Sequence, residues 1–313
     1  FYREVKQLKF TKQNIIKSPL NYVGGKYKLL PQLLPLFPND INRFIDLFAG
    51  GCNVGVNVKA NHIICNDIES NVIGLMNYFK NHSSNEIIKQ IEDIIHKYGF
   101  TETSKFGYAY YGCNSSDGVA KVNKEPYLKL REDYNNGKRS PIMFYTMLIF
   151  AFNNQIRFND KGEFNMPVNK RDFNDKIRKN LIQFVDKLKE IKITFTNKDF
   201  SVINPNKLNE KDFVYCDPPY LITVAAYNER NGWNEEKEMR LLNLLDELND
   251  NGIKFGLSNV LIHKGKRNEI LINWSKKYNV IHINNTYKNS NYQTNKRNNK
   301  ESLEVYICNY KIN

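Results

Sequence analysis

Residues 44–55, FIDLFAGGCNVG, join an apolar run to a glycine-containing turn. The run is rich in Phe, Ile and Leu, as expected of a strand that is buried on both faces of a parallel sheet. Gly50, Gly51 and Gly55 allow the turn and the short helix after it to approach a ligand closely. Asp67 follows in the next strand-like run, where an acidic side chain commonly accepts hydrogen bonds from ribose. The pattern predicts a site for NAD, FAD or S-adenosylmethionine, and a purely structural turn is the alternative.

Strand-like runs and helical patterns alternate around this stretch. Residues 85–98 repeat Ile at helical spacing, and residues 234–249 repeat Leu before the stop signal Asn251-Gly252. The alternation predicts an α/β fold with a Rossmann-like sheet and helices on both faces. Short apolar strands are predicted at residues 43–48, 62–66, 193–196, 213–216, 253–258, 280–283 and 303–308.

The alternation stops between residues 81 and 172. There Ser140-Pro141 opens an apolar helix that runs to residue 152, and residues 154–168 are predicted to form a β-hairpin with its turn at residues 159–162. We therefore expect residues 81–172 to form an inserted, mainly helical domain. Residues 1–80 and 173–313 would form the sheet domain.

Composition excludes several classes of protein. The 313 residues are 41% hydrophobic and carry a formal net charge of +13, which predicts a folded protein with an anionic partner, nucleic acid before membrane surface. A generally basic soluble protein is the alternative. The longest apolar run, residues 142–152, is too short to span a bilayer. Five scattered cysteines with no CxxC pair predict no metal site and a reduced, cytoplasmic setting.

Residues 216–220, CDPPY, directly follow a predicted strand. Pro218 and Pro219 end the strand and fix the backbone. They would hold the Asp217 carboxylate, the Pro218 carbonyl and the Tyr220 ring together at the carboxyl edge of the sheet, where open α/β sheets bind ligands. An Asp-Pro turn with a buried Tyr is the structural alternative.

These residue types suit methyl transfer to an exocyclic amine. The amine of adenine is a poor nucleophile, because its lone pair is delocalised into the ring. Asp217 and the carbonyl of Pro218 can accept hydrogen bonds from its two N–H groups, and Tyr220 offers a face for stacking. A sulfonium methyl donor is already activated, so that positioning and electrostatics supply the catalysis without a metal. The amine is out of reach inside a duplex, so the base must be flipped out.

The chain resembles the DNA adenine-N6 methyltransferases of the Dam type, the α-ordered group, over nearly its whole length. Residues 18–27, SPLNYVGGKY, are similar to the family's PLKWAGGK element, with Tyr22 in place of the usual Trp. The order of glycine motif, insert and DPPY is that of the α group, and it makes the sheet domain catalytic and the insert the target-recognition domain. The resemblance implies catalytic roles for Asp217, Pro218, Pro219 and Tyr220. It implies that S-adenosyl-L-methionine is bound by Tyr22, Gly24, Gly25, Lys26, Asp46, Phe48, Gly50, Gly51, Gly55, Asp67, Asp199 and Asp217.

The predicted hairpin resembles the one with which Dam enzymes recognise GATC. Residues 153–167, NNQIRFNDKGEFNMP, are similar to NGLCRYN…GEFNVP, with Gln155-Ile156 as the departure. Arg157 stands at the arginine position, where a bidentate contact to guanine is expected; a phosphate contact or a surface salt bridge is the alternative. The polar, cationic stretch 286–300 is either a solvated loop or a phosphate contact. The DNA-binding residues predicted from the resemblance are Asn154, Arg157, Pro167, Lys170, Arg171, Lys288 and Arg297.

The sequence thus predicts a sequence-specific methyltransferase for N6 of adenine in a short, GAT-containing site of double-stranded DNA. We expect a cytoplasmic enzyme of a restriction-modification system, with a cognate restriction endonuclease as partner. Cytosine N4, an RNA base or a protein glutamine amide are alternative substrates, although Asp217 favours adenine because related enzymes for the others more often carry Ser or Asn there. A DNA-binding module with a vestigial donor fold is a further alternative, and so is a nicotinamide oxidoreductase, in which CDPPY would have no role.

Overall fold

A single mixed sheet forms the centre of the chain. The computed structural model describes residues 15–22, 24–223, 232–284 and 302–312. Within these ranges the strands are β1 Ile41–Asp46, β2 Ala60–Asn66, β3 Ile193–Thr196, β4 Phe213–Cys216, β5 Lys254–His263, β6 Lys266–Arg267, β7 Asn279–His282 and β8 Leu303–Cys308.

The order of the strands is β3-β2-β1-β4-β5-β8-β7, with the short β6 paired to β5. β3, β2, β1, β4 and β5 are parallel, whereas β8 runs antiparallel between β5 and β7. β2 and β3 lie on one side of β1, whereas β4 and the strands after it lie on the other side. The strand order therefore reverses between β1 and β4, and ligands of such sheets bind outside the carboxyl ends of the two strands at the reversal.

Helices cover both faces of the sheet. Alternate strand residues belong to different hydrophobic clusters: Phe44 packs with the helices Ser70–Asn81 and Asp175–Glu190 on one face, and Ile45 packs with the helices Glu235–Asp250 and Glu269–Ser275 on the other. The predicted α/β fold with helices on both faces is thus confirmed. The helices are α1 Leu30–Leu33, α2 Ser70–Asn81, α3 Ser84–Tyr98, α4 Thr103–Tyr110, α5 Ala120–Asn135, α6 Pro141–Phe150, α7 Asp175–Glu190, α8 Glu235–Asp250 and α9 Glu269–Ser275.

Local sequence sets the helix boundaries. α3 begins at a capping box, in which Ser83 and Glu86 satisfy each other's backbone N–H groups, and Gly99 ends it with a left-handed φ of 77°. Ser140 caps α6 by accepting a hydrogen bond from the N–H of Met143. No described helix is both long and apolar enough to cross a membrane.

Residues 81–172 contain four helices, α3 to α6, as the irregular pattern of this region predicts. α6 is buried from Met143 to Phe150 and packs against α2, α3 and α5. Its side chains belong to the same hydrophobic cluster as α2 and one face of the sheet. The division of the chain into two domains stays a prediction.

The predicted β-hairpin at residues 154–168 is a hairpin-shaped loop without a regular ladder. Only two isolated bridges, Ala151 with Val168 and Phe158 with Phe164, join its sides within the described ranges. Asn153 and Asn154 both have a left-handed φ of 53°, which prevents a continuous strand from starting here. The Phe158 and Phe164 rings lie 5.6 Å apart, so side-chain packing holds the loop closed.

Candidate active site

Two carboxylates meet at the reversal of strand order. β1 ends at Asp46, which pairs in register with Tyr215 of β4, and Asp217 follows the end of β4. Asp46 is 1% exposed and accepts a hydrogen bond from the N–H of Phe48. Burial, with the nearby negative charge of Asp217, raises the pKa of Asp46 well above its ordinary value. The sheet therefore holds a carboxylate that a cationic ligand would stabilise.

Asp217 is bound by two donors through one oxygen. The Nζ of Lys26 lies 2.8 Å from Oδ1 of Asp217, and the Tyr220 hydroxyl donates to the same Oδ1 at 3.1 Å. The Lys26 ammonium also stands 5.0 Å from the centre of the Tyr220 ring. Burial raises the pKa of Asp217, while the charge of Lys26 and the two hydrogen bonds act against the rise. Lys26 thus favours the ionised, hydrogen-bond-accepting form.

The prolines of CDPPY lie where the sequence places them. Pro218 is buried and Pro219 is half-buried directly after β4, and no peptide bond of the described residues is cis. A turn follows in which Tyr220 O accepts from the N–H of Thr223. Because only the two prolines separate Asp217 from Tyr220, the Tyr220 hydroxyl stays within reach of Asp217.

Glu304, in β8, is part of this cluster, and sequence reasoning missed it. Its side chain is 2% exposed; its Oε1 lies 4.0 Å from the Nζ of Lys26 and 3.5 Å from the Tyr220 hydroxyl. In the sequence it stands in LEVYIC, which reads as an ordinary strand. The sequence feature that could have identified Glu304 is a charged side chain at the start of an otherwise apolar strand. Such a side chain is rarely buried without partners.

The segment at residues 18–27 packs on the glycine turn. Gly50 has a left-handed φ of 48°, and a Cβ there would lie 2.8 Å from Cδ1 of Tyr22, so the turn requires glycine. A Cβ on Gly51 would lie 3.1 Å from Oγ of Ser18. The N–H of Gly25 donates to the carbonyl of Tyr22, and Gly24 has a φ of 79°.

Gly55 differs from the other glycines of the turn. A Cβ there would collide with Sγ of Cys65, and it would lie 3.1 Å from Sγ of Cys52. Packing against the core of the sheet therefore accounts for this glycine without any ligand.

Asp67 fixes the glycine turn from the neighbouring strand. Its Oδ2 accepts from the N–H of Gly50 at 2.8 Å, and its Oδ1 accepts from the N–H of Glu69 at 2.9 Å. Burial raises its pKa, although these backbone hydrogen bonds oppose the rise. The carboxylate thus supports both the turn and the start of α2.

Asp199 and Phe48 lie beside an aromatic cluster at the same edge. Asp199 caps a short 3-10 helix, Phe200–Val202, by accepting from the N–H of Ser201. Phe48 packs on Phe200 and Trp233 with ring centres 5.4 and 5.6 Å apart. An apolar aromatic cluster with a carboxylate at its rim suits an aromatic base.

The loop around Arg157 is tied to residues 18–27, because Nδ2 of Asn21 donates to the carbonyl of Asn153. Asn154 donates to the carbonyls of Leu148 and Ile149, so it caps the carboxyl end of α6. Arg157 is half-buried and donates from Nε and Nη2 to Asn165, which fixes the plane of its guanidinium. Its remaining N–H groups keep donor capacity for a ligand.

Of the other residues predicted to contact DNA, Pro167, Lys170 and Arg171 are exposed. The carbonyl of Pro167 accepts from the N–H of Phe152, and Arg171 donates to the Tyr108 hydroxyl. Lys288 and Arg297, with the whole of the stretch 286–300, lie outside the described residues. The described ranges contain no group of three or more His, Cys, Asp and Glu side chains arranged to hold a metal ion.

Comparison with known proteins gives one family match, to the D12 class N6 adenine-specific DNA methyltransferases, over residues 22–289. The chain is 43% identical to the type II methyltransferase M.FokI of Planomicrobium okeanokoites, over 94% of this chain and 43% of that protein. It is 41% identical to the modification methylase StsI of Streptococcus sanguinis, with the same coverage of both. A DNA adenine methylase of Salmonella typhi is 24% identical over 77% of this chain and 79% of its own length. The chain therefore spans less than half the length of the first two relatives.

Proposed function

Since the chain belongs to the D12 class N6 adenine-specific DNA methyltransferase family, we propose that it transfers a methyl group to N6 of adenine in a short site of double-stranded DNA. One observation carries the proposal. An ionisable carboxylate, Asp217, stands beside a buried lysine and a tyrosine where the strand order of the sheet reverses. That is where a sheet of this type binds its ligand, and the residue types suit activation of an amine.

The methyl donor of this proposal is S-adenosyl-L-methionine. When bound, it supplies a methyl group on a positively charged sulfur, which makes the methyl carbon electrophilic. The residues at the edge of the sheet fit such a group, because Asp46 is a buried carboxylate without a described cation in contact. Asp67 would accept from the ribose, and Asp199 would bind the adenine beside Phe48.

The target amine would meet Asp217 and the carbonyl of Pro218. Each oxygen accepts one N–H, which draws the nitrogen toward tetrahedral geometry and frees its lone pair. Tyr220 provides a ring for the flipped base, since the amine cannot be reached inside a duplex. Asp217 then stabilises the positive charge that develops on nitrogen before the proton leaves to solvent. The ionised form of Asp217 is the one required, and Lys26 favours it.

The net charge supports DNA binding, and the hairpin-shaped loop supports the choice of site. A net charge of +13 favours a polyanionic substrate. Arg157, held by Asn165, is proposed to bind a guanine in a GAT-containing site through its free N–H groups. Two relatives are named a type II methyltransferase and a modification methylase, which supports a role in a restriction-modification system. A cognate endonuclease and a cytoplasmic setting are part of this proposal.

The test is incubation of the purified chain with labelled S-adenosylmethionine and duplex DNA, single-stranded DNA or RNA, followed by nucleoside analysis. We expect labelled N6-methyladenine from duplex DNA, and sequencing of the methylated positions should return one short motif. Labelled N4-methylcytosine, or label in RNA alone, would replace the proposal with one of the alternative substrates. An Asp217→Ala control must lose the signal.

A further inference from the structure

Glu304 is buried on the face of the sheet that carries the site. β8 presents Val305 and Ile307 to the cluster around α8, and Tyr306 and Cys308 to the opposite cluster. Glu304 therefore points to the same side as Tyr306, which is also the side of Tyr215 and of Asp217 beyond it. The strand is antiparallel, so Glu304 lies near its start, level with Val260 and close to the carboxyl edge of the parallel strands.

A buried carboxylate is costly unless charge and hydrogen bonds compensate it. Among the residues that the structure describes, Lys26 brings a cation near Glu304. Its Nζ lies 4.0 Å from Oε1 of Glu304 and 2.8 Å from Oδ1 of Asp217. The Tyr220 hydroxyl also contacts both carboxylates, at 3.1 Å from Asp217 and 3.5 Å from Glu304. Each of the two donors is thus shared between the same two carboxylates.

The two oxygens of Asp217 differ in their contacts. Lys26 and Tyr220 both bind Oδ1, and Oδ2 makes no hydrogen bond to any described residue. If Lys26 or Tyr220 turned toward Oδ2, the oxygen needed for an incoming N–H would be blocked. Glu304 contacts both donors, at 4.0 Å from the Lys26 ammonium and 3.5 Å from the Tyr220 hydroxyl.

We propose that Glu304 is a positioning residue that holds Lys26 and Tyr220 on Oδ1 of Asp217 and so keeps Oδ2 available for the target amine. The inference rests on the proposed function. With one ammonium between two carboxylates, the cluster also favours net negative charge, which suits the positive charge that develops on the amine during methyl transfer. In this proposal Glu304 acts through Lys26 and Tyr220.

The experiment compares wild type, Glu304→Gln and a matched control, Asp212→Asn. Asp212 is also a fully buried carboxylate with a cationic partner, Arg43, but it precedes β4 and lies at the opposite edge of the sheet. Single-turnover methylation is measured with saturating donor and DNA. Calorimetry gives the donor Kd, a binding titration gives the DNA Kd, and 2-aminopurine at the target position reports base flipping.

We expect Glu304→Gln to slow the methylation step by about tenfold or more, with both Kd values within about threefold of wild type and the flipping signal retained. In a Tyr220→Phe background the same substitution should cost less, because one of the two restrained donors is already gone. Asp212→Asn should leave the methylation step unchanged even where it lowers Tm.

An unchanged methylation rate in Glu304→Gln, or a loss confined to Kd or to Tm, would overturn the proposal. If Glu304→Gln does not fold, Glu304→Asp keeps the charge but withdraws it by one methylene, and a wild-type rate in that variant would equally refute the positioning role. Failure of wild type to methylate DNA is a separate result, which refutes the proposed function.

Discussion

At the scale of the residue, Asp217 carries the chemistry that we propose. Asp217→Ala removes the acceptor for the amine, so methylation should fall about 100-fold or more while the donor remains bound. Asp217→Asn keeps one acceptor oxygen and should retain a trace of activity. Single-turnover rates and donor calorimetry measure the two effects. Turnover of the Ala variant near that of wild type would remove Asp217 from the mechanism.

Asp46 gives a prediction about pH and stability. Its folded-state pKa is raised by burial, so the native state holds a proton more tightly than the unfolded chain. Ionisation then costs stability as pH rises above the ordinary value of 3.8 and through the folded pKa. Asp46→Asn should therefore raise Tm of the ligand-free protein at about pH 8, and the gain should disappear near pH 4. The same variant should bind the donor more weakly.

Thermal melts across this range, with and without donor, test the argument. An Asn variant less stable than wild type at neutral pH would show that the cost of the buried charge does not decide the contribution of this residue.

The family resemblance pointed to Asp46, at the end of β1, and Asp217 was anticipated because it directly follows a recognisable strand. Sequence reasoning did not anticipate their surroundings. The Lys26–Asp217 pair joins residues 191 positions apart in the sequence, and Glu304 joins them from a strand whose position in the sheet no local pattern reveals. Contacts between distant elements depend on strand order, and the apolar runs alone do not specify that order.

At the scale of the element, Asp67 joins the glycine turn to α2. Asp67→Ala should weaken donor binding by ~1.5–3 kcal/mol if its hydrogen bonds to the ribose are charge-assisted. It should also lower Tm, because the N–H groups of Gly50 and Glu69 lose their acceptor. Asp67→Asn offers one acceptor oxygen in place of two, so its donor affinity and its Tm should lie between those of wild type and of Asp67→Ala. Calorimetry that shows an unchanged donor Kd for Asp67→Ala would leave this residue with the structural role alone.

The seven predicted strands are all present, three with the predicted bounds and four with shifted ends. β5 runs to His263 rather than residue 258, because pairing with β8 carries it beyond the parallel strands. β6 is too short for any periodicity to reveal it. The hairpin-shaped loop is irregular because Asn153 and Asn154 adopt left-handed backbone angles. Asn tolerates such angles, but an Asn in the sequence does not by itself predict them.

At the scale of the whole molecule, the excess of positive charge favours DNA of any sequence, so reading of the sequence must come from a few fixed donors. Arg157 is such a donor, because two hydrogen bonds to Asn165 set its orientation. Lys170 is exposed, and its ammonium has no described partner, as expected of a contact to phosphate. The two residues should therefore contribute differently.

Arg157→Lys keeps the positive charge but loses the planar pair of donors. It should lose ~1–3 kcal/mol of discrimination at one base pair of the methylated motif, with little change in binding to unrelated duplexes. Lys170→Ala should weaken binding to every duplex about equally and lower the salt slope by about 0.9. The measurement is binding to the methylated motif and to each single-substitution duplex at several salt concentrations. If Arg157→Lys and Lys170→Ala affect all duplexes alike, Arg157 is a backbone contact. The proposed GAT-containing site would then have to be read by another part of the chain.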